Sequence, residues 1–345
     1  MRAIYFEEFN GLISIKEIPV PQVKPTGAVI KVMSTGMCRS DWHGYVGHDS
    51  DIKLPHVPGH EFAGEIHELG NEVTNFHIGQ RVTVPFINGC GTCEFCKAGE
   101  SQVCPTQTQP GFTQFGSFAE YVHIENADFN LIPLPNEIDF DAAAALGCRF
   151  ATSYRGLVIK AKLKPGHVIA IFGCGGVGLS ALIIAKKIGA TVICIDLQEN
   201  VLTKAKALGA DLVINPNIEN VLEKISEFTN LKGVDVSVDA LGSMPTSNQS
   251  ILALKRLGKH VQLGLLPSPD GTTPIPMARA IAYELEILGS HGLSSSQYQD
   301  LLEFVAAHKI DLSDLVSEVV PLESGVNLLA HWESRIHSGV TILRP

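Results

Sequence analysis

The run Gly173-Cys174-Gly175-Gly176-Val177-Gly178 constrains this chain more than any other stretch. It follows directly on Val168-Ile169-Ala170-Ile171-Phe172, five apolar residues that read as a strand. It leads into Leu179–Ile188, whose spacing predicts an amphipathic helix ended by Gly189. A strand that bends sharply into a helix needs residues without a Cβ at the bend. The first helical N–H groups then point outward, where they can receive the pyrophosphate of a dinucleotide. The window Val168 to Ala185 holds no charged side chain and approaches the length of a membrane span. Its glycine cluster fits a turn between two elements better than one continuous apolar helix.

The next run, Thr191–Ile195, ends at Asp196, about twenty residues after the glycines. A carboxylate there accepts hydrogen bonds from ribose hydroxyls and repels a 2′-phosphate. Leu197 and Gln198 follow, and no Arg is present to receive such a phosphate, so NAD is expected rather than NADP. Asp196 also reads as the N-cap of a helix from Glu199, and the two roles are compatible. Strand-like runs recur at Leu212–Ile214, Val234–Val238, His260–Leu263 and Glu286–Gly289, with helical segments between them. From about residue 150 this is the pattern of a doubly wound parallel sheet. Cys174 and Cys194 fall inside these elements and read as small buried hydrophobes.

The first 150 residues read differently. Short β-rich runs, Val29–Met33, Phe62–Ile66, Gly79–Val84 and Ala119–Val122, are separated by Gly and Pro, which suggests a β-barrel-like domain. Within it Cys90, Cys93, Cys96 and Cys104 have the spacing C-x2-C-x2-C-x7-C. Four thiolates so close, with Gly89, Gly91 and Gly99 among them, can close a tetrahedral site around structural zinc. An iron–sulfur cluster is the alternative, because Pro105 follows the last Cys, but the ferredoxin pattern has a last gap of three where this chain has seven.

A second set of donors is scattered. Gly36-Met37-Cys38-Arg39-Ser40-Asp41-Trp42-His43 offers a thiolate, a guanidinium, a hydroxyl, a carboxylate and an imidazole, yet alone it reads as a polar turn. Gly59-His60-Glu61 adds an imidazole and a carboxylate, and alone it reads as a surface pair. Cys148 lies near the change of pattern and alone reads as a buried Cys. Two thiolates and one imidazole would make a three-ligand metal site with a fourth position open.

From Gly59 the chain continues His60-Glu61-Phe62-Ala63-Gly64, with Gly70 and Val73 beyond. This run resembles the signature G-H-E-x-x-G-x5-G-x-x-V of the zinc-dependent medium-chain alcohol dehydrogenases, with every fixed position present. The resemblance extends from the first strand to the last residues. It implies a GroES-like β-barrel catalytic domain, residues 1–149 and 290–345, and a Rossmann cofactor domain, residues 150–289. It implies two zinc ions per chain. Cys38, His60 and Cys148 would hold the catalytic one, with Glu61 behind it and able to replace its water. Cys90, Cys93, Cys96 and Cys104 would hold the structural one. Asp41 would orient His60. NAD would be bound by Arg39, Thr152, Gly173, Gly175, Gly176, Val177, Gly178, Asp196, Leu265 and Leu266, with Gly264-Leu265-Leu266-Pro267 beside the nicotinamide. Ser40 and His43 would form the proton relay. One departure is Val201, where the family often has a Lys near the adenosine ribose.

The totals agree with this reading. A chain of 345 residues is long enough for two domains, and 45% hydrophobic with 18% charged residues suits a packed globular protein. A formal charge of −10 with no basic block argues against nucleic acid. Two acids follow the first short apolar run and no signal-peptide core appears, so a cytoplasmic protein without a membrane anchor is expected. The resemblance implies reversible oxidation of primary or secondary alcohols, aromatic or allylic ones among them, to aldehydes or ketones, by a homotetramer. Trp42, Phe86 and Phe112 are candidates to line an apolar pocket between the domains. A polyol or amino-alcohol dehydrogenase of the same superfamily is the nearest alternative. There the third ligand is usually a carboxylate, where this chain has Cys148. A non-catalytic NAD- or zinc-binding protein is the other, and the pair Ser40 and His43 argues against it.

Overall fold

The computed structural model describes residues 1–266, 272–334 and 339–345. Pro267 lies outside the described residues. The chain divides into two compact units, Met1–Ala151 with Gly292–Pro345, and Thr152–His291.

Among the described residues, the second unit carries a six-stranded parallel sheet. Its order is Leu212–Ile214, Thr191–Ile195, Val168–Phe172, Val234–Asp239, Leu254–Gln262, Glu286–Gly289. In sequence order that is 3-2-1-4-5-6, the Rossmann order, whose switch point lies between the first and fourth strands. The middle strands are apolar without alternation because both faces are covered. Ala170, Phe172, Ile193, Ile195 and Ile214 are all in the core.

The helix after the glycine run spans Gly176–Ile188 and ends at Gly189, whose φ of +92° is the left-handed conformation of a helix C-terminus. It is not amphipathic as the spacing suggested. Every residue from Gly178 to Ala185 is buried, Ser180 among them, and charged side chains enter only at Lys186 and Lys187. The fifth strand also starts earlier than the apolar run at His260 indicated, because the part before His260 carries Lys255, Arg256 and Lys259.

Among the described residues, the first unit carries a seven-stranded sheet. Its order is Val316–Pro321, Val340–Arg344, Ala28–Met37, Glu61–Leu69, Arg81–Thr83, Ile132–Pro133, with Tyr121–Ile124 also on Ala28–Met37. Ile30, Val32, Phe62, Ile66, Val82 and Val122 form its core. Two registers matter for the site. Gly36 lies opposite Glu61 on the antiparallel neighbour, and Met37 lies opposite Thr341. The first of these brings Cys38 to His60 across 22 positions of sequence.

The C-terminal segment returns to this unit through specific contacts. Ser101 Oγ lies 2.9 Å from Ser294 Oγ, and Tyr298, fully buried, donates its hydroxyl to the Gly147 carbonyl at 2.8 Å. Among the described residues no helix is long and apolar enough to cross a membrane.

Candidate active site

Cys38, His60, Glu61 and Cys148 come together in the first unit, their donor atoms all within 4.8 Å of one another. Each arrives on a different device. Cys38 follows the strand Ala28–Met37 and is the N-cap of the helix Arg39–Tyr45. Glu61 opens the neighbouring strand, Glu61–Leu69, and His60 immediately precedes it. Cys148 sits in a π-helical turn, Leu146–Phe150, that continues the helix Phe140–Ala145. Such a turn inserts one residue per helical round and is often found at functional sites. Here it directs the consecutive side chains of Cys148 and Arg149 at the same cluster.

Asp41 ties the pieces together. Its Oδ2 accepts the Cys38 N–H at 2.7 Å. Its Oδ1 accepts the Gly59 N–H at 3.1 Å and the His60 Nδ1–H at 2.8 Å. A carboxylate only accepts, so Nδ1 carries the proton and Nε2 carries a lone pair. That Nε2 is buried and has no hydrogen-bond partner in the protein, and neither oxygen of Glu61 has one. Buried polar atoms are satisfied in nearly all native structures. Two thiols, a bare imidazole nitrogen and a bare carboxylate converging on one point are the donor set of a zinc site.

The electrostatics agree. The Cys148 thiol donates to Cys38, which pulls Cys38 well below the ordinary thiol range and pushes Cys148 well above it. From the protein's own groups alone, burial pushes Glu61 up to about 8, with the Cys38 thiolate adding to the push and Arg149 opposing it. A divalent cation among these donors would draw the whole set toward its charged forms.

Cys90, Cys93, Cys96 and Cys104 form the other convergent set, again within 4.8 Å. The Sγ atoms of Cys90 and Cys96 are 4.0 Å apart, and those of Cys93 and Cys104 are 3.8 Å apart. Backbone N–H groups point at the sulfurs, from Cys93 to Cys90 at 3.3 Å and from Cys96 to Cys93 at 3.4 Å. The hydroxyl and N–H of Thr92, with the Cys93 N–H, lower Cys90 to about 5. Gly89 is required by closeness, because a Cβ there would come within 2.8 Å of the Cys96 sulfur.

In the second unit the glycine run turns at Gly173, with φ +86°. A Cβ on Gly178 would lie 1.9 Å from the Gly173 carbonyl, so the helix can pack on the turn only without one. A Cβ on Gly175 would meet nothing within 4 Å, and no side chain caps the helix that starts at Gly176. This leaves an open helix N-terminus suited to a pyrophosphate. Asp196 stands beside it, its Oδ2 accepting the Cys174 N–H at 2.8 Å. Asp196 is not the N-cap of the next helix. That position is Gln198, whose N–H binds Asp196 Oδ1 at 2.9 Å. The carboxylate therefore closes a turn and braces the glycine run. Thr152 is buried on the short helix Ala151–Tyr154, while Leu265 is exposed and Leu266 half-buried after the fifth strand.

Of the relay candidates, Ser40 Oγ lies 3.8 Å from Cys38 Sγ. His43 Nδ1 lies 3.0 Å from His48 Nδ1, and His48 is exposed. Burial, then Arg39 and His48, hold His43 below the ordinary imidazole range. Arg39 is exposed at the start of its helix. The rings of Phe86 and Phe112 pack on His60, with centroids at 5.9 and 5.1 Å. Trp42 differs from the pocket role: it is part of the core with Ile4, Phe6 and Leu343, and its ring covers His43.

His48 and Arg149 had no signal in the sequence. His48 is reached through the turn at Gly47, and Arg149 depends on the π-helical turn. The guanidinium is buried, with Nε 3.3 Å from Glu61 Oε1 and Nη2 donating to the Met37 carbonyl.

Comparison with known proteins gives consistent results. Residues 24–136 match the family described as alcohol dehydrogenase GroES-like domain, and residues 176–307 match the family described as zinc-binding dehydrogenase. The chain is 32% identical over 355 aligned positions to the NAD-dependent alcohol dehydrogenase of Saccharolobus solfataricus, covering 100% of both. It is 35% identical over 316 residues to the sorbitol dehydrogenase of Bacillus subtilis, covering 90% of this chain and 88% of that one. The solved structure of alcohol dehydrogenase TADH from Thermus sp. ATN1 superposes with a TM-score of 0.92 at 28% identity, covering 100% of this chain and 99% of that one.

Proposed function

The chain belongs to the zinc-dependent medium-chain alcohol dehydrogenase family, and from that premise we propose how its own residues carry out the reaction. It is a zinc-dependent oxidoreductase that interconverts alcohols and carbonyl compounds with NAD. We assign Cys38, His60 and Cys148 as holders of a catalytic zinc, with Glu61 able to join them. Cys90, Cys93, Cys96 and Cys104 hold a second, structural zinc. The single observation behind the first assignment is the buried Nε2 of His60, partnerless and aimed with two thiols at one point. Bound there, zinc supplies Lewis acidity that lowers the pKa of an alcohol hydroxyl toward neutrality. Bound NAD supplies the hydride acceptor.

The protein's part is position and proton traffic. Asp41 fixes the imidazole of His60 and the backbone on both sides of it. Phe86 and Phe112 wall His60 with apolar surface, which supports an apolar substrate. Ser40 accepts the hydroxyl proton. His43 would take it on and, being hydrogen-bonded to exposed His48, could discharge it to solvent. In the cofactor unit the Gly175 opening and the uncapped helix support pyrophosphate binding, with Arg39 as a further phosphate contact and Thr152, Val177, Leu265 and Leu266 lining the remainder. Asp196, without a nearby cation at Leu197 or Gln198, supports NAD over NADP. The edge strand Glu286–Gly289, with Ile281 72% exposed beside it, supports self-association, and a cytoplasmic homotetramer is the assembly proposed.

The similarity to a sorbitol dehydrogenase supports polyol oxidation as the second reading. One experiment addresses both. Zinc per chain is measured together with NAD reduction by benzyl alcohol, a short aliphatic series and sorbitol. Two zinc per chain with turnover is expected, and Cys148→Ala is expected to keep one zinc and lose activity. A Cys148→Ala protein with its full zinc content would refute the ligand assignment.

A further inference from the structure

The most unusual group at the site is a buried cation that the reaction described above does not use. Arg149 is 5% exposed and Glu61 is fully buried. Their contact is one-sided: Nε lies 3.3 Å from Glu61 Oε1, yet neither Glu61 oxygen has a hydrogen-bond partner in the protein. The same Oε1 lies 4.0 Å from His60 Nε2, the nitrogen left bare for the metal. The carboxylate oxygen therefore stands between the guanidinium and the donor cluster and is locked to neither. The space around it is kept by small residues. A Cβ on Gly36 would come within 2.8 Å of Oε2, and one on Gly147 within 3.1 Å of the Glu61 Cα. The guanidinium itself is fixed, since its Nη2 donates to the Met37 carbonyl at the end of the strand that delivers Cys38.

A buried carboxylate must find a cation, and truncating one partner of a buried pair leaves the other charge uncompensated. We propose that Arg149 and the catalytic metal compete for the Glu61 carboxylate, so that Arg149 keeps one metal position open for substrate. This rests on the catalytic-zinc assignment made above. Arg149 is thus a positioning residue: it acts on the metal through Glu61. Without it, the metal is the only cation within reach of Glu61, and the carboxylate closes on the position that an alcohol oxygen needs. The metal is then held by four protein donors, released more slowly and less open to small ligands.

The test uses full-length protein loaded with cobalt in place of zinc, and imidazole as the probe of the open position. In the parent protein imidazole is expected to shift the visible cobalt spectrum. Arg149→Met is expected to weaken imidazole binding by about tenfold or more and to slow removal of the catalytic metal by a chelator by a similar factor. KM for the alcohol rises with it. The double variant Arg149→Met with Glu61→Gln removes both charges and is expected to restore the imidazole response and the fast metal release. Arg149→Lys keeps the charge without the rigid fork and is expected to fall between. If Arg149→Met alone does not fold, rescue of folding by Glu61→Gln is the result expected, and the Lys variant supplies the imidazole titration. An unchanged titration in the Met or Lys variant overturns the proposal. So does a double variant that stays as impaired as Arg149→Met, which would leave Arg149 a support for the Met37 carbonyl and nothing more. Failure of the underlying assignment looks different: the parent protein would take up no second cobalt, and Cys148→Ala would not change its uptake.

Discussion

Asp41→Asn is the substitution that weighs the site's framework most directly. It keeps the size of the side chain and removes its charge. In the parent, three buried donors converge on the carboxylate: the Cys38 N–H at 2.7 Å, the Gly59 N–H at 3.1 Å and the His60 Nδ1–H at 2.8 Å. An amide offers one oxygen and an NH2 group, so at least one of these donors must face another donor. A hydrogen bond to a charged acceptor contributes about 1.5–3 kcal/mol, and a buried donor left unpaired costs about 1–3 kcal/mol. Partial relaxation of the loop brings the expected loss to about 2–4 kcal/mol. For a unit of this size that lowers Tm by about 4–16 °C. The His60 ring also loses the partner that fixes its tautomer, which weakens metal binding by about 10–100-fold. Thermal melting of the protein, with and without zinc, and zinc competition against a chromogenic chelator read the two effects separately. A variant that melts within a degree or two of the parent and binds zinc within twofold would refute the reasoning.

Three further outcomes are expected. Cys93→Ser removes one thiolate of the four-cysteine set while leaving a hydroxyl that can still accept the Cys96 N–H, so stability and zinc content fall together through loss of the metal ligand, by melting and metal analysis; an unchanged Tm would count against a structural site. Asp196→Gly with Leu197→Arg shifts preference from NAD toward NADP in kcat/KM. The same change loses the bonds to the Cys174 and Gln198 N–H groups, so Tm falls as well; unchanged preference would sink the ribose assignment. In the cofactor unit, burial pushes Asp235 up, but its pairing with Lys255 and the Val168 N–H outweighs burial and holds the carboxyl below its usual range. A depressed folded pKa gives stability that is present above the unfolded value of about 3.9 and is lost as pH falls through the folded one. Asp235→Asn is therefore expected to be less stable than the parent at neutral pH and to approach it in acid, by urea unfolding at several pH values. A constant difference across the acid range would contradict this.

Elements whose cause is local could be read directly from the order of residues. The strand Val168–Phe172, the glycine turn and the strand Thr191–Ile195 were legible because chain direction, apolar runs and missing Cβ atoms act over a few residues. The four cysteines were legible for the same reason, since a C-x2-C-x2-C spacing closes on itself. Cys38, His60 and Cys148 were not legible from local physics. Each alone reads as an ordinary polar or buried residue, and only the family signature joined them.

Tertiary structure decided the rest, because it depends on register and on what packs on what. The pairing of Gly36 with Glu61 brings Cys38 to His60, and a one-residue slip would turn those side chains to the other face. The π-helical turn points both Cys148 and Arg149 at the cluster, which 3.6-residue periodicity does not foresee. Asp196 braces the glycine run instead of capping a helix, because the turn places the Cys174 N–H within its reach. The helix Gly176–Ile188 is buried nearly all round, because tertiary packing covers the face that the pattern left open. Charge followed the same logic: composition gave the net value, and only the fold set one buried arginine against one buried glutamate beside the metal donors.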